Sequence, residues 1–485
     1  MIITKFFKRE LIGLFLILIL GLFLRIWKID SPIADWHSWR QADTAAVTRN
    51  FIKEGFNPLI PRYDDMSGSS DSFVLNPLRY RFVEFPLYNI FVYPFYLFFG
   101  IDDKYHRLVS ALFSMGTCVF LYFLVRKYSG RFVAFISSLT FAILPFNVFF
   151  SRTTLPEPTF IFFALGMMYF VSEWLEKKKQ KFFLLGFLFT PLAFLMKPWA
   201  FFFYLPLLYL VIKEKRLLKF LIFSIIAILP FVLWRLWILQ HPEGIPASSW
   251  LMNGDGIRFR PAFWWWIVSE RMGREILGAT GMVLFFLGLI LKPKNGNYFL
   301  HFWVLSIFLY FIVFATGNVR HNYYQVLFVP VASIFLALGL SALIKGESLF
   351  VPRIFAILTA IFLYVLAIFF GYKQVIEFYK INNPVIVEAG KRLDKIAPID
   401  AIVLAPYNGD TAFLYQTNRS GWAFVPTSTK DLIADYGVNY YVSTNYDDKT
   451  NWVLRHFYAI EQNPRFVIVD LTKLKKDFDN NDREP

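Results

Sequence analysis

The sequence predicts an all-α polytopic membrane domain followed by a small extracytoplasmic α/β domain. Hydrophobic residues make up 56% of the 485 residues, more than the roughly 45–50% of soluble domains. They are grouped into blocks of about 15–22 residues, the length at which a helix crosses roughly 30 Å of hydrocarbon. The tail from about residue 372 lacks such blocks, and strand-like segments alternate there with helix-like ones, as in α/β domains. We therefore predict a membrane module at 1–371 and an α/β domain at 372–485.

About eleven apolar blocks are expected to cross the bilayer. They lie at roughly 11–27, 107–125, 132–150, 159–174, 182–196, 199–212, 217–238, 277–291, 298–316, 324–344 and 353–371. Short basic clusters separate them, at Lys5/Lys8/Arg9, Arg126/Lys127/Arg131, Lys177 to Lys181, Lys213/Lys215/Arg216/Lys219, Lys292/Lys294 and Lys345/Arg353. Because positive loops face the cytoplasm, the pattern predicts a plasma (inner) membrane protein with a cytoplasmic N-terminus and an extracytoplasmic C-terminal domain. The formal charge of +15 is thus a topology signal, and no nucleic-acid partner is expected.

One further apolar block, from Phe85 to Gly100, is expected to lie on the outer membrane surface instead of crossing. It is short, rich in Phe, Tyr and Pro, and flanked by polar loops, which is typical of interfacial helices. The first outer loop then extends over about 28–106, with interfacial or juxtamembrane helices, and a second large outer loop extends over 239–276.

Three further features complete the organisation. The N-terminal block has no small-residue cleavage site, which predicts an uncleaved first span. Cys118 is the single cysteine, which excludes a disulfide framework and a Cys-based metal site. In the tail we predict helices at Asn383–Lys395 and Ser428–Tyr436, and strands at Ala401–Leu404, Val438–Ser443 and Phe466–Leu471. The tail has no Gly-rich phosphate motif, so a lid or a partner-docking role is expected for it.

The first candidate site segment follows the first span. A helix from Arg40 onward places Arg40, Asp43 and Val47 on one face, and Asp35 precedes it. An Asp held near an Arg at a membrane surface suits a general base. The alternative is a solvated helix whose Arg–Asp pair contributes under about 1 kcal/mol.

Further polar residues lie at the predicted outer ends of spans, where polarity usually marks function. Glu157 stands between two prolines that stiffen the backbone, and it suits a sugar hydroxyl or a cation. It is alternatively an acid beside a helix N-terminus. Basic residues oppose the positive-inside trend here and suit an anion, or they anchor the chain at the interface. The basic and aromatic candidates are Arg107, Lys197, Arg320, His321 and Tyr324.

Carboxylates and cations at one membrane face describe a pocket for a lipid phosphate beside an acid/base group. A polyprenyl-phosphate sugar fits such a pocket, because cations would stabilise the charge that accumulates on the departing phosphate. This predicts an integral membrane glycosyltransferase. A transporter or lipid flippase is the alternative, although such proteins commonly have two similar halves and this chain has no evident internal repeat. A catalytically silent scaffold for envelope enzymes is a second alternative.

Five motifs follow one another over about residues 8–345. They are the segment Trp39–Phe51, Glu84-Phe-Pro86, Arg107–Ala111, Leu155-Pro-Glu157-Pro158 and Met196-Lys197-Pro198. In order and spacing they resemble the GT-C superfamily, specifically family 39-like glycosyltransferases related to protein O-mannosyltransferases and the lipid A aminoarabinose transferase. The resemblance implies a GT-C fold and transfer of a hexosyl or pentosyl group from polyprenyl phosphate, with inversion. The acceptor would be a lipid, glycan or protein, as in glycolipid or lipopolysaccharide biosynthesis of the cell envelope.

The resemblance also implies roles for individual residues. Arg40-Gln41 stands where the family pattern Asp-Glu-x-Arg-Tyr-Ala-x-x-x-Arg has its acidic pair, so the acid/base role passes to Asp43 first and to Asp35 second. Glu157 matches the family's acidic position between the third and fourth spans, and would position the sugar or acceptor. The implied substrate-binding residues are Arg40, Gln41, Glu84, Arg107, Lys197, Arg320, His321 and Tyr324. Some relatives bind a divalent cation, but no cluster here has ligand spacing specific enough to assign a metal.

Overall fold

The computed structural model describes residues 2–68, 70, 74–346, 352–475 and 484–485, with side chains from Glu10 onward. The side chains of the first predicted basic cluster, Lys5/Lys8/Arg9, therefore lie outside the described part. The chain divides into two compact units. A helical unit comprises Met1–Ile29, His106–Leu236 and Ser248–Phe378. A sheet unit comprises Asp30–Tyr105, Trp237–Ala247 and Tyr379–Pro485.

The helical unit contains α-helices, several short 3₁₀ turns and one π-helix, Trp266–Ile276. Its α-helices are Ile2–Ile26, Lys104–Ser129, Arg131–Ile143, Pro145–Phe150, Glu157–Lys177, Gln180–Met196, Tyr204–Lys213, Leu217–Ile238, Trp250–Asn253, Pro261–Trp265, Gly281–Ile290, Phe299–Val313, Ala315–Arg320, Val329–Lys345 and Arg353–Val375. Its 3₁₀ turns are Pro198–Phe203, Ile257–Phe259, Lys294–Gly296, Asn322–Phe328 and Ile376–Tyr379.

Several of these helices are long and apolar enough to cross a bilayer. Within the described ranges there are five such helices, or up to six if the pair Pro261–Ile276 and Gly281–Ile290, bent by 115°, is one span. Glu157–Lys177 is central, since 83% of its apolar window is buried, whereas only 22% is buried for Leu217–Ile238. Apolar residues on that peripheral helix face outward, as lipid contact requires. The multi-pass membrane fold is confirmed, and the number of eleven spans stays a prediction.

Some predicted cytoplasmic basic residues are paired with acids of the same unit. Arg126 Nε lies 2.7 Å from a carboxylate oxygen of Glu10, and Lys127 Nζ lies 3.0 Å from one of Glu173. Lys177 Nζ lies 2.5 Å from the other oxygen of Glu173. These pairs fix helix ends to one another. The two glutamates also compensate part of the positive charge of the loops.

Two helices of this unit touch through their backbones at a pair of glycines. A Cβ atom on Gly288 would lie 1.9 Å from the carbonyl oxygen of Phe335. A Cβ atom on Gly339 would lie 2.0 Å from the carbonyl oxygen of Leu284. Small residues are enriched at such crossings because helix association in lipid depends on close van der Waals contact.

Gly339→Ala should therefore destabilise the helical unit, by about 1–3 kcal/mol or more, because the added methyl forces two backbones apart. The thermal unfolding midpoint of the purified protein measures the effect. Gly371→Ala is the matched control, since its Cβ would meet its nearest neighbour, Pro145, at an ordinary 3.6 Å. Equal midpoints for the two variants would contradict the crossing.

The sheet unit is built on a five-stranded mixed sheet. Its strands are β1 Ile402–Leu404, β2 Ser420–Trp422, β3 Tyr440–Ser443, β4 Phe457–Gln462 and β5 Val467–Leu474. The order is β2-β1-β3-β5-β4, with β1 parallel to β2 and β3 and β5 antiparallel to β3 and β4. Its helices are Ser38–Lys53, Leu87–Phe99, Pro384–Ile396, Ala412–Gln416, Thr429–Tyr436 and Asp448–His456, with a 3₁₀ turn at Pro242–Gly244.

The predicted tail elements are all found, with small shifts at their ends. The sequence prediction missed β2, β4 and the helices Ala412–Gln416 and Asp448–His456. β2 is Ser420-Gly421-Trp422, and its central glycine disfavours a strand, so the segment gave no strand signal. β4 contains Glu461 and Gln462 and lies at a sheet edge, where one side of the strand stays polar. The small α/β domain is confirmed.

The first predicted outer loop shares a unit with the tail. Alanines of the Ser38–Lys53 helix, among them Ala42, Ala45 and Ala46, lie in one apolar core with Leu393, Val403, Phe413 and Leu414. The compact units therefore divide the chain differently from the predicted boundary at 371/372, because 30–105 groups with the tail. The Leu87–Phe99 helix has 13 residues and is about 20 Å long, shorter than the hydrocarbon layer. Its place on the membrane surface stays a prediction.

Candidate functional site

The Ser38–Lys53 helix carries most of the candidate residues of the sheet unit. Thirteen of its sixteen residues are buried, so the alternative of a solvated helix is wrong. Small alanines on one face allow close packing, and this brings the polar face of the same helix into a buried environment. Each of its polar side chains then requires a partner, because an unpaired buried charge is costly.

Asp43 is held from two sides. Arg81 Nη2 donates to Oδ2 of Asp43 at 2.6 Å, and the hydroxyl of Thr411 donates to Oδ1 at 2.6 Å. Asp43 is only 4% exposed. Since both carboxylate oxygens accept hydrogen bonds, the position of this side chain is fixed.

Arg40 pairs with Glu84 and not with Asp43, contrary to the predicted pairing along the helix. Its Nη2 lies 2.6 and 2.9 Å from the two carboxylate oxygens of Glu84, and both side chains are buried. The two oxygens of Asp43 accept from Arg81 and Thr411 instead, and charge-assisted hydrogen bonds such as that between Arg40 and Glu84 are the stronger kind. The structure thus joins two of the sequence motifs, Trp39–Phe51 and Glu84-Phe-Pro86, through Arg40 and Glu84.

Gln41 and Asp35 also lie together. Gln41 Nε2 donates to Oδ1 of Asp35 at 2.7 Å and to the carbonyl oxygen of Trp36 at 2.9 Å. Asp35 is 1% exposed. The glutamine of the Arg-Gln pair therefore orients the second candidate base.

A further carboxyl group of this unit, Asp65, is absent from the sequence-predicted site. Burial raises the pKa of Asp65 to about 6, hydrogen bonds from Ser67 lower it in part, and the charge of Asp43 raises it further. Asp65 Oδ2 accepts from the hydroxyl of Ser67 at 2.5 Å. Burial likewise raises the pKa of Asp410. The surroundings of Asp43 are thus acidic, and Arg81 is the cation that contacts it.

The raised pKa of Asp65 predicts a pH-dependent stability. Between about pH 4 and pH 6 the native protein keeps a proton on Asp65 that the unfolded chain loses, so its stability falls as the pH rises through this window. Asp65→Asn stays neutral and escapes this loss. The free energy of unfolding of the variant, relative to that of wild type, should increase by about 2–3 kcal/mol from pH 4.5 to pH 7.5.

Thermal unfolding midpoints at the two pH values check this expectation. Asp435→Asn supplies the control, because it makes the same substitution at an exposed position of the same unit. An Asp65→Asn difference from wild type that is the same at both pH values, as in the control, would refute the prediction.

In the helical unit, Glu157 and Lys197 form a buried ion pair. Lys197 Nζ lies 3.0 Å from Oε1 of Glu157, with side-chain exposures of 7% and 1%. Pro156 and Pro158 flank Glu157 at the start of the Glu157–Lys177 helix. Lys197 ends the Gln180–Met196 helix with an extended backbone, as expected before Pro198. Both positions are therefore set by the backbone.

The hydrogen bonding of Glu157 is incomplete despite this pair. Neither carboxylate oxygen of Glu157 accepts a well-formed hydrogen bond from any described residue, although the ammonium of Lys197 is close. The short distance shows the charge contact, and the missing hydrogen bonds show that its angle is poor. A buried acceptor in this state is costly, and a hydroxyl group of a ligand would relieve that cost.

Aromatic rings surround the ion pair. Lys197 Nζ lies 4.7 Å from the ring centre of Trp199. Trp199 contacts Tyr324 and Tyr310 edge to face, with ring centres 4.7 and 5.3 Å apart. His321 lies 5.6 Å from Tyr324 by ring centres. The structure thus brings together four of the predicted residues, namely Glu157, Lys197, His321 and Tyr324.

The remaining predicted cations lie in different surroundings. Arg320 is exposed and stacks on Trp250 at 5.2 Å. Arg107 is fully buried on the Lys104–Ser129 helix. One turn along that helix, Ser110 donates to the carbonyl oxygen of Thr153 at 2.8 Å, which ties it to the turn that precedes Glu157.

Several polar residues near these groups were missed by sequence reasoning. On the π-helix, Arg271 pairs with Glu275 and donates to the carbonyl oxygen of Val319 at 2.9 Å, while Asn322 donates to Glu275 at 3.1 Å. The spacing of four between Arg271 and Glu275 was a usable signal. Thr411 gave none, because an isolated threonine carries no pattern. Across the described ranges, no group of three or more His, Cys, Asp or Glu side chains is placed to hold a metal.

Comparison with known proteins identifies related chains and folds. Residues 85–237 match the family model described as dolichyl-phosphate-mannose-protein mannosyltransferase. An uncharacterized protein of Aquifex aeolicus (strain VF5) is 34% identical over 119 residues, which cover 24% of this chain and 27% of that protein. The chain therefore aligns with about a quarter of the length of this curated relative.

Three solved structures share the fold at low identity. ArnT from Cupriavidus metallidurans bound to undecaprenyl phosphate matches with a TM-score of 0.66 and 12% identity, over 94% of this chain and 97% of ArnT. The arabinofuranosyltransferase AftD from Mycobacteria matches with 0.58 and 13%, over 97% and 40%. The oligosaccharyltransferase AglB from Archaeoglobus fulgidus, in complex with an inhibitory peptide and a dolichol-phosphate, matches with 0.56 and 11%, over 90% and 70%.

These relatives agree with the resemblance drawn from the motifs. The family model covers Arg107, Glu157 and Lys197, and the match to ArnT extends over nearly the whole of both chains. The predicted class of membrane glycosyltransferase is supported by both. The chain has the GT-C fold, and its resemblance to the GT-C glycosyltransferases is confirmed.

Proposed function

We propose that the protein is an integral membrane glycosyltransferase that moves a sugar from a polyprenyl-phosphate donor to an extracytoplasmic acceptor, with inversion of the anomeric centre. The observation that carries the proposal is the buried Glu157–Lys197 pair, whose carboxylate lacks well-formed hydrogen bonds from the described residues. Both residues lie within the segment that matches the mannosyltransferase family model. A buried cation beside an under-bonded carboxylate, lined by aromatic rings, suits a phosphate and a sugar hydroxyl together.

The proposed reaction needs cations that bind the phosphate, a carboxylate that accepts a hydrogen bond from a hydroxyl group, and a base. The acceptor oxygen attacks the anomeric carbon of the sugar, the bond from that carbon to the phosphate oxygen breaks, and polyprenyl phosphate leaves with the bonding electrons. Lys197 would bind the phosphate and stabilise its growing charge, with Arg107, Arg320, His321 and Tyr324 as further proposed binding residues. Glu157 would accept a hydrogen bond from a sugar or acceptor hydroxyl.

A base must take the proton of the acceptor. Asp43 is the proposed base and Asp35 the alternative, since both are buried carboxylates whose positions are fixed by hydrogen bonds. Glu84, Arg40 and Gln41 would bind substrate or orient these groups.

The donor sugar is proposed to be a hexosyl or pentosyl group, and the acceptor a lipid, glycan or protein. The ArnT and AglB structures, which contain undecaprenyl phosphate and a dolichol-phosphate, support a polyprenyl-phosphate donor.

Purified protein in lipid nanodiscs, given polyprenyl-phosphate sugars and envelope acceptors, should transfer the sugar. Asp43→Asn should lower kcat by about 10²–10⁴, the usual range for a general base. Lys197→Ala should lower kcat/KM for the donor, because it removes charge stabilisation from the transition state. Glu157→Gln should show a smaller loss, since an amide oxygen still accepts a hydrogen bond.

Two further variants make the activity test decisive. Glu388→Gln removes a half-exposed carboxylate that pairs with Arg465 and should keep full activity. Asp35→Asn separates the two candidate bases, because only the true base should give the largest loss in kcat. Full activity in Asp43→Asn, Glu157→Gln and Lys197→Ala would rule out the site assignment. An inactive wild type with every donor and acceptor would favour a transporter or flippase.

We also propose that the N-terminus is cytoplasmic and that the tail is extracytoplasmic, in the plasma membrane. The distribution of basic clusters supports this orientation. In a Cys118→Ser background, a cysteine at Ile101, which is 44% exposed, should react with a membrane-impermeant thiol reagent in intact cells. A cysteine at the exposed Lys181 should react only after the membrane is opened. The opposite labelling pattern would invert the proposed topology.

A further inference from the structure

The sheet unit holds the proposed base through a residue very distant in the sequence. Thr411 immediately precedes the Ala412–Gln416 helix of the α/β fold. Its hydroxyl lies 2.6 Å from Oδ1 of Asp43 and 3.1 Å from the carbonyl oxygen of Trp39. A hydroxyl has one proton, and the shorter contact to a charged oxygen is the stronger one.

A second hydrogen bond joins the same two elements. The hydroxyl of Ser38 donates to Oδ2 of Asp410 at 3.0 Å. Oδ1 of Asp410 accepts from the backbone N–H of Ala412 at 2.8 Å, so this carboxylate is itself fixed to the start of the Ala412–Gln416 helix. The turn at residues 410–411 therefore contacts the first two turns of the Ser38–Lys53 helix at two polar points.

The other end of the Ser38–Lys53 helix is attached to the same short helix. Arg49 Nη1 donates to the carbonyl oxygen of Tyr415 at 3.0 Å, and the guanidinium of Arg49 stacks on the Tyr415 ring at 4.0 Å. Gln416 Nε2 donates to the carbonyl oxygen of Ile33 at 3.0 Å. Residues 410–416 thus hold the helix that bears Asp43 along its length.

Apolar packing alone would also hold the Ser38–Lys53 helix, since Ala45, Ala46, Phe413 and Leu414 share one core. It would leave the carboxylate of Asp43 free to rotate about its side-chain bonds. Arg81 fixes Oδ2 and Thr411 fixes Oδ1, so the two donors together select one orientation. The hydroxyl of Thr411 therefore helps to orient the carboxylate of Asp43, which the apolar contacts do not do.

We propose that Thr411, in the C-terminal α/β fold, is a positioning residue for Asp43, and that this fold forms part of the catalytic machinery. The proposal rests on the proposed function, in which Asp43 takes the proton of the acceptor. It assigns the tail a role other than that of a lid or a partner-docking domain.

Three variants in the full-length protein in nanodiscs test the proposal. Thr411→Val keeps the side-chain shape and removes the hydroxyl, and Thr411→Ser keeps the hydroxyl. Thr417→Val is the matched control, because Thr417 is buried like Thr411, with 0% against 8% exposure. Thr417 follows the same short helix, and its hydroxyl donates to the carbonyl oxygen of Leu414 at 2.6 Å.

Thr411→Val should lower kcat by about tenfold to a hundredfold, the loss expected for one hydrogen bond to a charged group, while KM for the donor changes less than twofold. Thr411→Ser should restore kcat to within about threefold of wild type. Thr417→Val should leave kcat within about twofold of wild type. Equal kcat values in Thr411→Val and Thr417→Val would overturn the proposal.

Hydrogen–deuterium exchange supplies a readout that does not depend on activity. In Thr411→Val the amides of residues 38–53 should exchange faster than in wild type and in Thr417→Val. Asp43→Asn should raise the exchange less in the Thr411→Val background than in wild type, because the contact with Thr411 is already broken there and only the pair with Arg81 is left to lose. Unchanged exchange in Thr411→Val would refute positioning even if the wild type transfers sugar. An inactive wild type with the expected exchange pattern would refute the proposed function alone.

Discussion

The cost of burying charge governs the candidate residues of both units. An ion removed from water must be paired and hydrogen-bonded, or its burial destabilises the fold. The sheet unit meets this demand with Asp43 and Arg81, Glu84 and Arg40, and Asp64 and Arg49. The helical unit pairs Glu157 with Lys197, and the hydrogen bonding of the Glu157 carboxylate among the described residues is left incomplete. Breaking any of these pairs would leave a buried charge without compensation. Each pair therefore holds its two side chains in position against each other.

This demand explains why one helix carries so many of the candidate residues. The Ser38–Lys53 helix has alanines where it enters the apolar core, and small side chains let the sheet and its helices approach closely. Its charged residues are then buried by that approach. They reach partners at Arg81, Glu84 and Thr411, on two other segments of the same unit. Packing and electrostatics are therefore coupled in this helix, and a larger residue in place of Ala45 would disturb both.

The parts of this structure that depend on periodicity could be predicted from the sequence, and the parts that depend on pairing could not. Apolar block length revealed the membrane helices, and short apolar runs revealed β1, β3 and β5, while the glycine-centred β2 and the half-polar edge strand β4 gave no such signal. Proline flanks singled out Glu157, which lies buried at the start of its helix. The partners of Asp43 lie 38 and 368 positions away, and no local spacing specifies such contacts. The expected Arg40–Asp43 pair is absent because Arg81 and Thr411 bond the oxygens of Asp43, while Arg40 pairs with Glu84.

The glycine crossing at Gly288 and Gly339 has a consequence for how two helices can move. Because the two backbones touch there, Gly281–Ile290 and Val329–Lys345 cannot slide or rotate against each other without separating. A shift of either helix would therefore carry the other with it. Just before Gly281–Ile290, Gly278 and Ala279 both have left-handed backbone conformations, at the 115° bend that follows Pro261–Ile276. The closely packed pair thus begins directly after a sharp change in the direction of the chain.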